Sequence, residues 1–545
     1  MYHTAMYIDV VPNRNSPPAV LIRESYREDA KIKHRTLANI SHLPPERIMA
    51  LKRAFRGDFD EVSGPECQTF MTEQGPQFGA LYLLYELAKE IGLAGALGKD
   101  RRGRLALLLV LAQLIFKGSR AGVVKWAQNQ AVFEVLGLGA QDQIDFDEDT
   151  LYRVLDNLAD RRFGIQLDLF RSRNKRVNHL FLYDVTSSYL EGICNELGQW
   201  GYNRDGKKGK KQIVIGLLTD QDGDPVAVEV FQGNTSDPKT VTAQIELLSR
   251  RFKVSNVVFV GDRGMIKSAP IEALTSESFH YITAITKPQI ECLIKEGVFQ
   301  LGLFDEKLGE VEHEDIRYVY RRNPTRVMEL EESRRQKIDR ACQYAQKLTL
   351  QLEESSRKSI EVAERNLKAK IVKLKIDSFA RVCVQDRGVF VEIDDQALKK
   401  RSHLDGVYVL KTDTKSDDLD KEAIHSAYKS LSRVERDFRT MKSGLEIRPV
   451  FVRKKSRTMG HVLVVTLALI LERELEKRLS QIPVEVSHAI AAMNGWCLLR
   501  QSLSNIRVSQ LPRPNQIQSN ILTATGIRQP ASLAVARKRN RKKQT

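Results

Sequence analysis

The stretch Lys421–Arg457 reads KEAIHSAYKSLSRVERDFRTMKSGLEIRPVFVRKKSR. Apolar side chains at Ile424, Tyr428, Leu431, Val434, Phe438 and Met441 recur at three- and four-residue steps. This predicts one amphipathic helix from about Lys421 to Met441. Glu435 sits on that helix among Arg433, Arg436, Arg439 and Lys442. An acid among bases is ordinarily a surface ion-pair cluster. Two other segments argue for chemistry: FLYDVTSSYLEG ends a β-run on Asp184, and VVFVGDRGMIKS ends another on Asp262. Two strand-borne aspartates and a helix-borne glutamate are hard oxygen donors of the kind a pair of Mg²⁺ ions takes.

Together Asp184, Asp262 and Glu435 resemble the acidic triad of the DDE transposases. The helix resembles the insertion-element branch of that family, which spaces its residues as Y-x2-R-x3-E-x6-K. Tyr428, Glu435 and Lys442 fall on that spacing, whereas Leu431 occupies the arginine position, and Arg433 is the nearest substitute. The resemblance covers roughly Leu180 to His461. It implies an α/β RNase H-like core with a large insertion before the last acid. It further implies metal-dependent cleavage at the ends of a mobile element and joining of the 3′-hydroxyls to target DNA. Two Mg²⁺ ions, replaceable by Mn²⁺, would be held by the three acids. The partners would be the terminal inverted repeats and target DNA, with a homodimer in the synapsed complex. The implied location is the bacterial cytoplasm, on the nucleoid. The alternatives are an RNase H-like nuclease without strand transfer and an inactive DNA-binding descendant.

Tyr428 and Lys442 lie seven residues on either side of Glu435, about two helical turns away, and are candidate contacts to DNA phosphates. Arg433, Arg439 and the lysines Lys207 and Lys208 of GYNRDGKKGKK are further candidate DNA contacts. For Tyr428 the competing reading is core packing.

With 545 residues the chain is too long for a single core, and 42% hydrophobic with 28% charged residues describes a globular protein. A net charge of +17 points to a polyanionic partner, nucleic acid before membrane. The six cysteines are scattered with no C-x2-C pair, which argues against zinc ribbons and a disulfide framework. The histidines form no H-x3-H pair, and GDRGMIKS lacks the P-loop spacing. No secretory signal is seen at MYHTAMYIDVV, and the most apolar segments, Leu105–Phe116 and Val462–Leu471, are shorter than a membrane span requires.

Residues 1–66 read as a small β-meander or arm. Residues 75–175 read as helical and are expected as the DNA-end-binding region, with either a helix-turn-helix or ordinary bundle helices over Ala121–Leu155. Residues 176–305 are expected as the first part of the core: three strands, a helix and further strands. The interval from Asp262 to Glu435 is more than twice that from Asp184 to Asp262, so 306–403 are expected as an insertion of β-structure plus a long helix or helical pair. Residues 404–480 would complete the core. Residues 481–545 would add a C-terminal helix and a disordered basic tail at Arg537–Lys543.

Overall fold

The computed structural model describes residues 6–14, 17–28, 31–56, 71–140, 143–173, 179–300, 306–355, 357–503, 506–530 and 535–538. The chain forms two compact units: residues 1–173 together with 456–545, and residues 174–455.

The first unit opens with strands β1 (Met6–Val11), β2 (Ala19–Glu28) and β3 (Lys31–Asn39), paired antiparallel in chain order, then the helix Pro45–Arg56. Strand β4 (Met71–Gln77) leads into a helical bundle. Its helix Arg101–Ile115 starts at Asp100, whose side chain accepts from Gly103 N, and eleven of its residues are buried. Over Ala121–Leu155 the structure has the helix Arg120–Ala127, a five-residue helix Val132–Leu136 and the start of Glu148–Arg173. The middle helix, five residues long, is less than two turns. Among the described residues no single helix is long and apolar enough to cross a membrane. One bent pair, Arg101–Ile115 with Arg120–Ala127, passes on length and composition, but the first of these is a buried bundle helix.

The second unit is built on an eight-stranded sheet. Its first five strands are β5 (His179–Tyr189), β6 (Gln212–Asp220), β7 (Pro225–Gln232), β8 (Val257–Gly261) and β9 (His280–Ala284). Then come β10 (Gly309–His313) and β11 (Ile316–Arg322), a hairpin β12 (Ala380–Gln385) and β13 (Gly388–Ile393) outside the sheet, and β14 (Val407–Thr412). The sheet order is β10-β11-β14-β9-β8-β5-β6-β7. Strands β5, β6 and β7 run antiparallel in succession, whereas β5–β8 and β8–β9 pair parallel. The central strands are nearly continuous apolar runs, as burial on both faces requires.

The hairpin β10–β11 extends this sheet, so it is not part of the insertion expected over 306–403. The outlying segment is the stretch between β11 and β14. Its helices Pro324–Glu353 and Ile360–Leu374, capped by Asn323 and Ser359, bury Ala341, Ala345, Leu348, Leu367 and Ile371 together with Phe379 and Val389. The charge-rich run is therefore the solvated side of a helical pair with a core of its own.

A further difference lies at the end of the expected core. The helix Lys455–Leu479 belongs, from Ser456 on, to the first unit. Its run Val462–Leu471 is buried without interruption, which needs helices on all sides. Gly460 backs so closely onto the Glu148–Arg173 helix that a Cβ there would lie 2.2 Å from Leu155 O. The chain then adds β15 (Cys497–Leu503), β16 (Ile506–Gln510) and β17 (Val535–Lys538), which complete a sheet in the order β17-β16-β15-β4. The expected disordered tail is thus ordered at its start: Arg537 and Lys538 pair in register with Arg507 and Ile506. Residues 539–543 of that tail lie outside the described residues.

Candidate active site

Strand register brings the two aspartates together. Tyr183 of β5 lies opposite Gly261 of the parallel strand β8, so Asp184 and Asp262 are the next positions along two adjacent strands. The chain turns after Asp262, whose carbonyl accepts from Met265 N at 2.9 Å. The third acid comes from a helix that is not continuous. The segment expected as one helix is Lys421–Lys429, a break at Ser430, Leu431–Arg439 and a π-helical turn Thr440–Gly444. Val434 and Phe438 are buried on the middle piece, which packs on β5, and Glu435 is on its exposed face.

All three acids line one cleft of about 650 Å³. A second opening of about 390 Å³ shares Asp184 and Glu435 and is walled by Arg204, Arg439, Lys442 and Arg448. The larger cleft has cations of its own, Arg263, Lys287, Arg321 and Lys429. Asp184 and Glu435 therefore stand where two basic openings meet.

Burial, reinforced by the negative charges of Glu435 and Asp262, pushes the Asp184 carboxyl up to about 7. The Val185 N–H, 2.7 Å from Asp184 Oδ1, and Arg204 act against this. Asp262 Oδ1 accepts from Arg263 N at 2.8 Å and from the Tyr428 hydroxyl at 3.2 Å. Burial and the Asp262 carboxylate raise the Tyr428 phenol, which stays a donor. Beside them Tyr408 bonds His425 Nε2 with the rings stacked 5.7 Å apart. Burial, Lys429 and Arg321 lower His425, keeping it neutral.

Three carboxylates that line one cleft suit a divalent cation, and their oxygens are hard donors. Among the described residues, however, no three Asp, Glu, His or Cys side chains close around an ion as they stand.

Lys442 is largely buried, and its Nζ lies 2.8 Å from Asp205 Oδ1. Arg439 is exposed at the smaller opening. Arg433 donates to Gln221 O at 3.1 Å, at the β6–β7 hairpin, and covers Gly223. Lys207 and Lys208 are exposed in the loop between β5 and β6, with Lys207 above the Tyr189 ring, and line neither opening. Leu431 lines the larger cleft at the family's arginine position. Sequence reasoning missed Asp205, Arg204, Arg263, Lys287 and Arg321. Asp205 and Arg204 had a local signal, since both lie in the basic stretch GYNRDGKKGKK.

Residues 162–471 match the transposase DDE domain, and residues 8–66 match the N-terminal domain of IS1634 family transposases. No curated protein matches. Two solved structures resemble the chain distantly. One is a piggyBac transposase synaptic complex with hairpin DNA, at 9% identity over 76% of this chain and 78% of that one, with a TM-score of 0.37. The other is a Mos1 transposase paired-end complex with left transposon end, at 13% identity over 44% of this chain and 68% of that one, with a TM-score of 0.15. Both scores are too low for a shared fold to follow from them. Transposase DDE domains use divalent metal ions. The DDE domain spans more than half of this chain and contains Asp184, Asp262 and Glu435, and the protein belongs to the DDE transposases.

Proposed function

We propose that this transposase binds the ends of an insertion element, cuts them and joins the freed 3′-hydroxyls to target DNA, with Asp184, Asp262 and Glu435 as its metal-holding carboxylates. The observation that carries this is the meeting of the three acids in one cleft: Asp184 lies within β5, Asp262 directly follows the adjacent parallel strand β8, and Glu435 stands on a helix packed on β5. The order β7-β6-β5-β8-β9, antiparallel then parallel, supports an RNase H-like core.

When bound, two Mg²⁺ ions, or Mn²⁺ in their place, would lower the barrier to deprotonating the nucleophile and would neutralise the leaving oxygen. The chain's own residues do the rest. Asp184 and Asp262, fixed on strands, set one edge of the site, and Glu435 reaches it from the helix. Tyr428 orients the Asp262 carboxylate through its hydroxyl. The cations of the two openings hold phosphates on either side of the scissile one, a positioning role that carries no sequence information. Recognition of the element's own ends then falls to the residues before about 175, and two copies of the chain would act on a synapsed pair of ends.

The test is incubation of the protein and Mg²⁺ with DNA carrying the element's flanking ends. Cut ends and strand-transfer products are expected. Cutting without joining in any divalent metal would reduce the protein to a nuclease.

A further inference from the structure

The loop of residues 201–211, between β5 and β6, carries a carboxylate that is 1% exposed at its side chain, Asp205. Asp205 Oδ1 accepts from Lys442 at 2.8 Å and from Arg448, while Oδ2 accepts from Tyr189 N at 3.2 Å. Both cations lie beyond the Glu435 helix: Lys442 in the π-helical turn, Arg448 in the segment that runs on to Val450. That segment is itself pinned to the end of β5, because Val450 N donates to Tyr189 O at 3.1 Å and its carbonyl accepts from Glu191 N at 3.0 Å. The loop is held as firmly from its own side. Arg204 N donates to Ser187 Oγ at 3.0 Å, and its guanidinium grips both carboxylate oxygens of Asp237 at 2.7 and 2.8 Å.

We propose that Asp205 is a positioning residue for the reaction: it fixes the Lys442 ammonium, with Arg448 beside it, at the opening next to Asp184 and Glu435. This rests on the reading of those acids given above. A lysine stem has four rotatable carbons, and an untethered ammonium would lose much of that freedom on each encounter with a phosphate. Held by Asp205, Lys442 has already lost it, and two of its three N–H donors remain for oxygens in the opening. A second effect concerns the acid-bearing helix. The ion pair ties the turn that follows Glu435 to a loop rooted on the Asp184 strand, so the two acids keep their spacing when DNA enters.

The experiment is a double-mutant cycle in the full chain, read by single-turnover cleavage at saturating DNA, by DNA affinity and by thermal melting. Asp205→Asn is expected to slow cleavage about 10-fold or more with DNA affinity changed less than about 3-fold. In a Lys442→Ala background the same substitution should cost less than about 3-fold, since its target is gone. Asp205→Glu keeps the charge but moves it by a methylene. It should preserve the melt yet lose cleavage in the same way, which charge compensation alone would not produce.

Wild-type cleavage rates in both Asp205 variants, or losses that multiply with Lys442→Ala, overturn the proposal. Loss of a cooperative melt in both variants assigns Asp205 to folding and overturns it too. A wild-type protein that cannot cut its own ends refutes the transposition reading, a result distinct from normal cutting with silent Asp205 variants.

Discussion

The hydroxyl of Tyr428 donates a hydrogen bond of 3.2 Å to the carboxylate of Asp262, which lies 166 positions earlier in the chain. A tyrosine expected on a DNA phosphate thus supports an acid of the site. Removing the hydroxyl leaves the half-buried ring in place, so Tyr428→Phe should fold normally. Losing a group that orients a metal-holding carboxylate should raise the divalent-ion concentration for half-maximal cleavage by about 10-fold. An unchanged metal midpoint with weaker DNA binding would return Tyr428 to the phosphate.

Asp184→Ala, Asp262→Ala and Glu435→Ala are each expected to abolish cleavage and strand transfer while binding to DNA ends stays within about 3-fold, because metal-holding oxygens are lost rather than phosphate contacts. Gel-shift and cleavage assays on the same preparations check this. Ordinary cleavage by any one of the three removes that residue from the assignment.

Asp184 also makes stability depend on pH. Its folded carboxyl sits at about 7, against about 3.9 for an exposed aspartate. The unfolded chain therefore gives up this proton at a lower pH than the folded one. Below about pH 4 both states are protonated and the residue is neutral in the balance; as pH rises from about 4 to 7 the unfolded chain gains. Above pH 7 the penalty is full, about 2–3 kcal/mol after allowance for solvent in the cleft. Asp184→Asn should accordingly melt higher than wild type in metal-free buffer at pH 8, by about 4–10 °C, and level with it at pH 4. Equal melting at both pH values would count against a strained carboxylate.

Gly216 on β6 lies opposite Val185, and a Cβ there would stand 2.1 Å from the Tyr183 hydroxyl. Tyr183 is fully buried beside Asp184 and cannot retreat. Gly216→Ala should therefore cost about 1–3 kcal/mol and slow cleavage. Adding Tyr183→Phe, which deletes the obstructing oxygen, should recover part of the stability by denaturant melts. No recovery would mean that the strain lies elsewhere.

Residues 174–455 are one continuous stretch, whereas the other unit is assembled from both ends of the chain. The fragment 174–455 is expected to melt cooperatively alone and to bind DNA without preferring the element's ends. Competition binding against random DNA checks this. Selection of its own ends by the fragment would move recognition into the catalytic unit.

What the sequence made legible is what local pattern encodes. Asp184 and Asp262 are visible because each ends an apolar run, and Glu435 because it interrupts a basic face at helical spacing. The helix pair Pro324–Glu353 and Ile360–Leu374 is visible through the same periodicity. The break at Ser430 and the π-helical turn at Thr440–Gly444 leave the apolar stripe intact and so cast no shadow on it. Lys442 reads as a free cation because its partner, Asp205, is 237 positions away. The placement of Lys455–Leu479 was hidden for a related reason: an apolar helix declares that it is buried but not among which neighbours.

The four-stranded sheet has a consequence for how the protein is made. Gln74 on β4 hydrogen-bonds Cys497 on β15 across 423 positions. On a ribosome adding about 5–20 residues per second, β4 therefore waits roughly 20 to 85 s for its neighbour. Residues 174–455 have by then emerged whole, so that unit is complete before the sheet built from the two ends of the chain can close. During that interval the exposed edge of β4 is open to pairing with a second nascent chain on the same message.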